Sequence, residues 1–374
     1  MAKLGDIATY INGYPFKPND WSDTGLPIIR IQDLTGNSYQ ANRYKGEYQP
    51  KYEVNAGDVL ISWSASLGVY IWQGEKALLN QHIFKVVFNK EAVSKDFFVF
   101  QVEQILKKAA QDVHGATMKH LTKPVFDALP FYLPSYEEQC NIANKLKYVR
   151  SIIEQRQEQL TKLDELVKAR FVEMFGDMLL NSLEWPEKPL ESLADIVSGI
   201  TKGRKTTETG LIEVPYMAVS NVKSGYIDWT TIKTILATKQ EIEQYRLMPD
   251  DILMTEGGDP DKVGRGAIIK NPLKDSIHQN HIFRVRLDKS ELLPAYFAEY
   301  LQHQKAKRYF LGCAKQTTGI ASINMRQLRA LPVLIPPLPL QNQFADFVAE
   351  VDKSKLLAEL FAQNACILAE NRSK

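Results

Sequence analysis

A search for residue types and spacings that could perform catalysis finds no self-sufficient enzyme site. Neither Asp-x-Lys nor Glu-x-Lys occurs, so the usual carboxylate-and-lysine nuclease centre has no local signature. The Asn-Pro-Pro-aromatic pattern of an amino-methyltransferase is missing, and Asn271-Pro272-Leu273 and Asp259-Pro260-Asp261 do not match it. Gly199-Ile200-Thr201-Lys202-Gly203 has the wrong glycine spacing for a phosphate loop. The residues present therefore favour a binding protein over an enzyme.

Composition and cysteine usage set the broad class of the protein. The 374 residues suggest two or three domains, and a formal net charge of +2 neither indicates nor excludes a nucleic-acid partner. Cys140, Cys313 and Cys366 lie far apart, and the six histidines have no zinc-ligand spacing, so no metal site is predicted. The sequence has no apolar run long enough for a bilayer and no signal peptide. We therefore expect a cytoplasmic protein without a membrane segment.

Basic side chains gather in short groups that could contact phosphates. The groups are Lys202, Arg204 and Lys205; Lys305, Lys307 and Arg308; Lys107, Lys108, Lys119 and Lys123; and Arg326 with Arg329. Lys and Arg among Ser, Thr, Asn and Gln in loops suit contacts with DNA phosphates and base edges. An ordinary solvated surface explains any one group equally well. His82 and His281 recur at matching places and are predicted to be core or strand-end residues.

The segments that would position these residues form an internal repeat, which occurs twice along the chain. Four segments of the first half return in the same order in the second half. The pairs are residues 4–7 with 193–196, 56–61 with 249–254, 80–86 with 279–285, and 128–130 with 330–332. Because chance does not supply four matches in one order, the sequence predicts two copies of one domain. Val, Ile and aromatic runs between Gly and Pro predict mostly β copies, with first-copy strands at 26–31, 58–63 and 82–88 and a helix at 96–111.

A long helix is predicted after each copy. Residues 137–175 contain neither Gly nor Pro, and at about 1.5 Å per residue this helix would span about 58 Å. Its predicted seam is Ile142, Leu146, Val149, Ile153, Leu160, Leu163, Val167 and Met174. The second helix, roughly residues 341–371, has the candidate seam Phe347, Val351, Ser354, Ala358, Phe361, Ala365 and Leu368. The two helices are predicted to pair, and the alternative is a long amphipathic helix lying on its own domain.

Three further motifs give the chain a recognisable pattern. They are the boundary at residues 129–139, echoed at 331–343; the helix end Arg170-Phe171-Val172-Glu173-Met174-Phe175-Gly176-Asp177; and the loop pair at residues 13–17 and 199–203. Together with the duplicated plan, they resemble the specificity subunit of type I restriction-modification enzymes, and the helix end is similar to that family's central conserved region. The resemblance covers nearly the whole chain.

The resemblance implies an α+β fold with two mostly-β or mixed target recognition domains in tandem. Each domain is followed by a long α-helix, and the two helices pair as an antiparallel coiled coil. The implied segments are residues 1–134 for the first recognition domain, 135–177 for the central helix, 178–337 for the second recognition domain and 338–374 for the C-terminal helix. The second helix lacks an equivalent of Phe175-Gly176-Asp177, and the chain begins almost directly on the first domain.

The resemblance also implies a function in DNA recognition. Each recognition domain would read one half of a bipartite, asymmetric double-stranded DNA site. The helices would set the spacer and dock two methyltransferase subunits for adenine-N6 methylation, with restriction and translocase subunits as further partners. S-adenosylmethionine, and Mg with ATP for restriction, would bind to the partner subunits, so this chain needs no catalytic residue, cofactor or metal. Target adenines would be flipped into the partner's pocket.

Candidate site residues follow from loop positions and from the helix boundaries. For DNA binding they are Tyr14, Lys17, Arg30, Gln32, Ser64, Ser66, Lys119, His120, Lys202, Arg204, Lys205, Ser220, Asn221, Lys262, Arg265, Ser322 and Asn324. For partner binding they are Gln139, Glu173, Met174, Phe175, Gln341 and Gln343, of which Met174 also belongs to the predicted seam. Polar loop residues are expected to read base edges, and Lys and Arg to contact phosphates.

Two other functions remain as alternatives. One is a protein-binding scaffold whose β-rich modules grip protein surfaces and whose helices merely dimerise. The other is a fused, self-sufficient restriction enzyme, against which the missing catalytic motifs argue. A DNA reader and a scaffold are distinguished by salt, because counterion release makes DNA binding fall steeply as salt is added.

Overall fold

The repeat in the sequence is also a repeat of structure. The computed structural model describes residues 1–37, 42–112, 121–203, 210–259, 262–317 and 320–371. By their contacts the residues form two compact units, one of Met1–Glu154 with Asn364–Lys374 and the other of Gln155–Gln363. This division falls inside a long helix, so it does not test the predicted segment limits at the helix ends.

The first copy consists of short strands and helices. Its strands are β1 (Ala2–Lys3), β2 (Thr9–Asn12), β3 (Leu26–Ile29), β4 (Arg43–Tyr44), β5 (Glu53–Val54), β6 (Val59–Ser62), β7 (Gly68–Ile71), β8 (Ala77–Leu79), β9 (Ile83–Val87) and β10 (Pro130–Phe131). Its helices are α1 (Leu4–Ile7), α2 (Ile31–Leu34), α3 (Lys95–Asp112) and α4 (Lys123–Asp127), followed by α5 (Tyr136–Phe175). The predicted strands and helix are confirmed as β3, β6, β9 and α3, with ends that differ by one or two residues.

Two four-stranded sheets form the body of the first copy. Their strand orders are β2-β9-β6-β7 and β4-β3-β8-β5. β6 is central in the first sheet and buried along its whole length, which explains its nearly unbroken apolar sequence. Phe98 and Val102 of α3 share one core with Val59 and Phe84 of this sheet. The core therefore fixes the sheet and α3 as one body.

The second copy repeats this plan. Its strands are β11 (Glu187–Pro189), β12 (Ala194–Ser198), β13 (Ile212–Met217), β14 (Lys233–Ala237), β15 (Asp251–Thr255), β16 (Gly257–Gly258), β17 (Gly266–Ile269), β18 (Ile277–His278), β19 (Ile282–Leu287), β20 (Lys315–Thr317), β21 (Ile320–Ser322) and β22 (Pro332–Leu334). Its helices are α6 (Lys239–Tyr245), α7 (Pro294–Gln302), α8 (Gln304–Cys313) and α9 (Met325–Arg329), followed by α10 (Leu338–Asn371).

The two main sheets correspond between the copies, except that among the described residues no strand matches β5 and the second copy adds the sheet β16-β21-β20. The order β12-β19-β15-β17 matches β2-β9-β6-β7, and β14-β13-β18 matches β4-β3-β8. The aspartate at the start of the central strand pairs with a cation of the neighbouring strand in both copies, with Lys85 Nζ 3.0 Å from Asp58 Oδ2 and Arg286 Nε 2.7 Å from Asp251 Oδ1, although Arg286 lies two residues beyond the position that corresponds to Lys85. The internal repeat predicted from four short segments is therefore confirmed.

The helices α5 and α10 have 40 and 34 residues. A capping box starts α5, because the backbone amide of Ser135 donates to Glu138 at 3.0 Å and its hydroxyl accepts from the Glu138 amide at 3.3 Å. Gly176, with a φ of +76°, follows the last residue in the left-handed conformation that ends many helices. No helix in the described ranges is long and apolar enough to cross a membrane.

Within the second unit, the end of α5 runs antiparallel to α10. Three contacts follow one another along the pair: Phe171 with Phe344 at 5.4 Å between ring centroids, Asp164 with Lys355 as an ion pair, and Arg156 over the Phe361 ring at 5.4 Å. Residue numbers fall along one helix as they rise along the other. The predicted antiparallel pairing is therefore confirmed for these residues.

The seam positions differ in part from the prediction. In α10, Phe344, Val351 and Ala358 are buried, whereas Ser354 and Phe361 are exposed. The Asp164–Lys355 ion pair shows that position 355 faces α5, so a four–three spacing runs through residues 344, 348, 351, 355 and 358. The prediction was wrong for Ser354 and Phe361 because it chose the neighbouring stripe of a weakly patterned helix.

Candidate functional site

The loops of the first copy meet at one end of its sheets. β2 runs antiparallel to β9 with Asn12 opposite Phe84, and β6 runs antiparallel to β9 with Ser62 opposite Ile83. The loops that leave β2 and β6 and the loop that enters β9 therefore share an edge. Tyr14 lies in the first of these loops, and Ser64 and Ser66 lie in the second.

The second sheet brings its own loop to the same edge. β3 runs parallel to β8, so Arg30 and Asn80 follow their strands at the same end. The Asn80 amide donates to the Ile29 carbonyl at 3.2 Å, and Asn80 also forms a parallel bridge with Tyr14. Asn80 thus joins the two sheets, and Gln32 in α2 comes to the same side as Tyr14.

The predicted residues at this edge are unequally available. Tyr14 is 41% exposed and Lys17 and Ser66 are exposed, whereas Ser64 is only 6% exposed. The Ser62 hydroxyl donates to the Ser66 carbonyl and thereby holds the turn. A ligand at this edge would first meet Tyr14, Lys17 and Ser66.

Arg30 is largely engaged within the fold. Its Nε lies 3.8 Å from Asp33 Oδ2, its guanidinium lies 5.5 Å from the Trp21 ring centroid, and its side chain is 18% exposed. Its backbone amide donates to Asp33 Oδ2 at 2.8 Å, which closes the turn of α2. Between these anchors Gln32 is half-buried at the same turn.

The second copy builds the same edge from different residues. Ile200 forms a parallel bridge with Gln279, and the Gln279 amide donates to the Met217 carbonyl at 3.0 Å. Lys202 follows Ile200 and is exposed, and Ser220 follows β13 and is exposed. The alignment of strands places Ser220 where the first copy has Gln32.

The end of β15 gathers four further predicted residues. Gly257 pairs with Ser322 in adjacent strands, and the Thr255 amide donates to the Arg265 carbonyl at 3.0 Å. Lys262 is exposed and forms an ion pair with Asp259, whose pKa the lysine lowers below its ordinary value. Asn324 caps α9 by accepting from the Gln327 amide at 2.9 Å, and is exposed.

The structure contradicts the prediction for Asn221. Its side chain is 3% exposed; Oδ1 accepts from the Ala218 amide at 2.9 Å, and Nδ2 donates to the Asp228 and Thr231 carbonyls at 2.9 Å and 3.0 Å. These bonds use both amide N–H groups, so Asn221 holds the loop and offers no donor to a ligand. It corresponds to Asp33 of the first copy.

Gly13 and Gly199 are explained by close backbone approach. A Cβ on Gly13 would lie 2.0 Å from the Asn80 carbonyl oxygen, and one on Gly199 would lie 2.0 Å from the His278 carbonyl oxygen. Any side chain would separate the loop from the neighbouring strand. The loop pair that the sequence singled out is therefore a scaffold for the edge.

Sequence reasoning missed a histidine at this edge. His281 is 57% exposed, and its Nδ1 lies 2.7 Å from Glu256 Oε2. At the corresponding place in the first copy, the His82 ring lies 4.8 Å from the Trp63 ring. Of the predicted core or strand-end positions, the structure confirms the strand end for His281, which lies directly before β19, although its exposure beside Glu256 was not predicted. The recurrence of a histidine at this place in both copies was the available signal.

Two glutamines and one aromatic residue of the predicted partner surface are buried. Gln139, Phe175 and Gln341 are 1%, 1% and 0% exposed. Phe175 packs on Tyr296 with 4.8 Å between ring centroids. The prediction for these three is therefore wrong, because the glutamines of the boundary motif bond to buried backbone groups and Phe175 of the helix-end motif packs into the core.

The other predicted partner residues differ in exposure. Met174 packs partly buried against the core, as its seam assignment predicted. Glu173 is exposed and pairs with Arg170 at 2.9 Å, and Gln343 is exposed. These two remain candidates for a partner surface.

Four predicted DNA-binding residues lie outside the described residues. They are Lys119, His120, Arg204 and Lys205. Among the side chains that the structure does describe, no group of three or more His, Cys, Asp or Glu could hold a metal ion.

Comparison with known proteins points to one family. The family model described as "Type I restriction modification DNA specificity domain" matches residues 1–162 and 182–362. The chain is 21% identical over 382 residues to the type I restriction enzyme EcoBI specificity subunit of Escherichia coli, covering 93% of this chain and 78% of that protein. It is also 21% identical over 385 residues to the EcoKI specificity subunit of Escherichia coli strain K12, covering 94% and 81%.

Two solved structures have a similar fold. The type I restriction-modification S subunit from M. genitalium superposes with a TM-score of 0.55 at 12% identity, covering 99% of this chain and 93% of that chain. A chain from a structure of complex assembly and conformational transition of the type I R-M system gives a TM-score of 0.53 at 15% identity, with coverage of 99% and 93%. At 12% and 15% identity, the similarity of these two structures to this chain is a similarity of fold alone.

Proposed function

Because the chain belongs to the family of type I restriction modification DNA specificity domains, we propose that it is the DNA specificity subunit of a type I restriction-modification complex. Each copy of the domain reads one half of a bipartite, asymmetric site on double-stranded DNA. The complex acts in the cytoplasm, where it methylates its DNA site and restricts unmodified DNA.

The observation that carries this proposal is one scaffold with two different sets of edge residues. Gln32 and Ser220 occupy corresponding turns after β3 and β13, and Trp63 and Glu256 occupy corresponding positions after β6 and β15. Base edges are distinguished by the pattern of donors and acceptors that a protein offers. Two domains of one shape with different side chains therefore suit two different half-sites.

The long helices supply the spacing. A helix of 40 residues, such as α5, spans about 60 Å at 1.5 Å per residue. A helix without Gly or Pro is stiff, so the gap between half-sites is fixed in the way that dimer geometry fixes half-site separation. Exposed Glu173 and Gln343 are candidates for contact with two methyltransferase subunits at the helix boundaries.

The chemistry belongs to the partner subunits. The methyltransferase subunits bind S-adenosylmethionine and accept the flipped adenine for N6 methylation. Restriction and translocase subunits bring Mg and ATP. The part of this chain is to hold the DNA in register, for which exposed Lys17, Lys202 and Lys262 offer phosphate contacts.

The proposal is tested by methylation mapping. The full chain is co-expressed with its methyltransferase, and methylated adenines are located by single-molecule sequencing. A bipartite motif with one fixed gap is expected. Methylation of a contiguous palindrome, or no methylation and no complex, contradicts the proposal and favours the protein-binding scaffold.

Salt dependence provides a second test of the same proposal. Binding of the full complex to duplex DNA is measured between 50 and 200 mM salt for wild type, Lys202→Ala and Lys353→Ala. Loss of one phosphate contact lowers the slope of log affinity against log salt by about 1. Lys353, exposed on α10, is the matched control and leaves the slope unchanged. A flat response of the wild type contradicts DNA binding.

A further inference from the structure

A buried glutamine ties the first turn of α5 to the first copy. The side chain of Gln139 is 1% exposed. Its Oε1 accepts from the Ser94 amide at 2.9 Å, and its Nε2 donates to the Ala92 carbonyl at 3.3 Å and the Pro134 carbonyl at 2.9 Å. Three backbone groups, from two segments outside the helix, thus converge on one side chain.

A second glutamine repeats this arrangement at α10. Gln341 is 0% exposed. Its Oε1 accepts from the Leu293 amide at 2.8 Å, and its Nε2 donates to the Glu291 carbonyl at 3.0 Å and the Pro336 carbonyl at 2.8 Å. The pattern is the same in both copies. The side-chain amide donates to the carbonyl of one residue and accepts from the backbone N–H of the residue two positions later. It also donates to the carbonyl of the residue five positions before the glutamine.

The bonding pattern explains why glutamine is needed. A carbonyl and the N–H two residues later are the groups that a neighbouring parallel strand would satisfy. The glutamine amide supplies that missing partner with one acceptor and both of its N–H groups. In a dry environment these bonds are directional, because a rotated amide would leave backbone groups without partners.

The segment that each glutamine holds is part of the rigid body of its copy. Ser94 and Leu293 lie directly before α3 and α7, and α3 shares its core with the first sheet. Further along α5, Lys147 and Arg150 pair with Asp96 and Glu103, but these side chains are partly exposed. Exposed ion pairs contribute little. Ala143 and Ile142 of α5 also pack against the core of the first copy, but apolar packing is not directional, so the buried amide is the directional link.

We propose that Gln139 and Gln341 are positioning residues that fix the direction in which each long helix leaves its recognition domain. Through that direction they restrict the complex to one gap between half-sites. The restriction of the gap rests on the function proposed above, whereas the direction of each helix is a property of the chain alone.

The direction of the helix is tested by distance measurement between spin labels on the full chain. Labels are placed on exposed Gln73 and Tyr148 in the first unit and on Glu243 and Leu357 in the second, with the three native cysteines replaced by serine. Gln139→Met and Gln341→Met keep the volume and remove the hydrogen bonds. The width of the distance distribution is expected to at least double in the matching unit.

Matched controls separate positioning from general loss of structure. Asn141→Ala and Asn342→Ala change exposed amides close to the two glutamines on the same helices and leave the widths unchanged. Melting curves and circular dichroism confirm that each variant is folded. Two sites in two units keep the test valid if one variant does not fold. An unchanged width in a folded glutamine variant overturns the positioning role.

The link to spacing is tested by methylation in the full complex. DNA sites with the cognate gap and with gaps one base pair longer or shorter are compared. For the glutamine variants, methylation at altered gaps relative to the cognate gap is expected to rise at least fivefold. A widened distance distribution with an unchanged gap preference overturns that link. A wild type that methylates no bipartite site contradicts the proposed function, while the label distances remain decisive.

Discussion

Single residues at corresponding positions of the two copies divide into those that hold the edge and those that face outward. Asp33 and Asn221 close the same turn by accepting from a backbone amide at 2.8 Å and 2.9 Å. Gln32 and Ser220, between those anchors, differ in type and reach. The scaffold therefore fixes the position of the residue between the anchors, while the type of that residue differs between the copies.

His278 couples stability to pH. Burial lowers its pKa from 6.5 to about 4, and its ring nitrogens lie 3.2 Å and 3.3 Å from the Tyr245 and Val197 carbonyls. The unfolded chain takes up a proton near pH 6.5 and the folded chain only near pH 4, so this stability is present above pH 6.5 and lost as the pH falls through that window. We expect the unfolding free energy to fall by about 2 kcal/mol from this group between pH 7 and pH 5.

Urea unfolding of wild type and His278→Gln at pH 7 and pH 5 measures this contribution. Carboxylates that titrate in the same range affect both proteins alike, so the difference between the two pH dependences isolates His278. Equal pH dependences in the two proteins would contradict the assignment.

Gly13 is expected to be intolerant of any side chain. Gly13→Ala would place Cβ 2.0 Å from the Asn80 carbonyl oxygen, and the strain should lower the unfolding free energy by about 3 kcal/mol. Gly312→Ala, in α8 with no atom within 4 Å of the added Cβ, should instead raise it by up to about 1 kcal/mol. Urea denaturation of both variants measures the contrast, and similar effects would argue against the close approach.

The helix α10 is anchored in the hydrophobic core near its N-terminal end as well as along its length. α10 enters the core at Phe344, whose ring centroid lies 5.4 Å from that of Phe171 and 5.5 Å from that of Phe175. Further along, exposed Leu356, Leu357 and Leu360 follow the same helix outside the seam. Apolar character alone therefore does not identify the buried stripe of this helix.

Phe344→Ala should destabilise the second unit strongly. Removing a fully buried ring leaves a cavity against α5, and the unfolding free energy is expected to fall by about 3–5 kcal/mol. Leu357→Ala, on the same helix and 58% exposed, should change it by less than about 0.5 kcal/mol. Denaturation followed by circular dichroism compares the two, and a comparable loss in both would show that the seam is misplaced.

The whole molecule contains two copies of one domain, so the specificity that we propose for it should be divisible between the copies. Gln32 and Ser220 belong to different compact units. Substitutions at distant, independent sites add in free energy. Each copy should therefore contribute its own half of the sequence preference.

Gln32→Ala and Ser220→Ala test this division. Each is expected to relax base preference by about 10- to 100-fold in one half-site only, as the loss of one base contact does. The double variant should show the product of the two changes. Methylation mapping measures both half-sites at once, with Lys353→Ala, exposed on α10, as the control. A substitution that alters both halves would contradict independent reading.

The sequence by itself determined the duplicated plan, the main strands and the two long helices. Those features depend on local periodicity and on the absence of Gly and Pro between residues 137 and 175, which are readable without contacts. Loop positions also predicted exposed Tyr14, Lys17, Ser66, Lys202 and Ser220.

Only the tertiary structure decided which polar residues turn inward. Gln139, Asn221 and Gln341 are polar residues of types common at surfaces, yet each is buried with its amide bonded to backbone groups. For the two glutamines some of these groups lie 45 to 50 residues away in sequence, and for Asn221 they lie within 10 residues. The sequence left His281 open between the core and a strand end, and the fold places it at the strand end with 57% of its side chain exposed. Burial of a polar group depends on whether partners for its hydrogen bonds are brought to it, and that is settled by the fold.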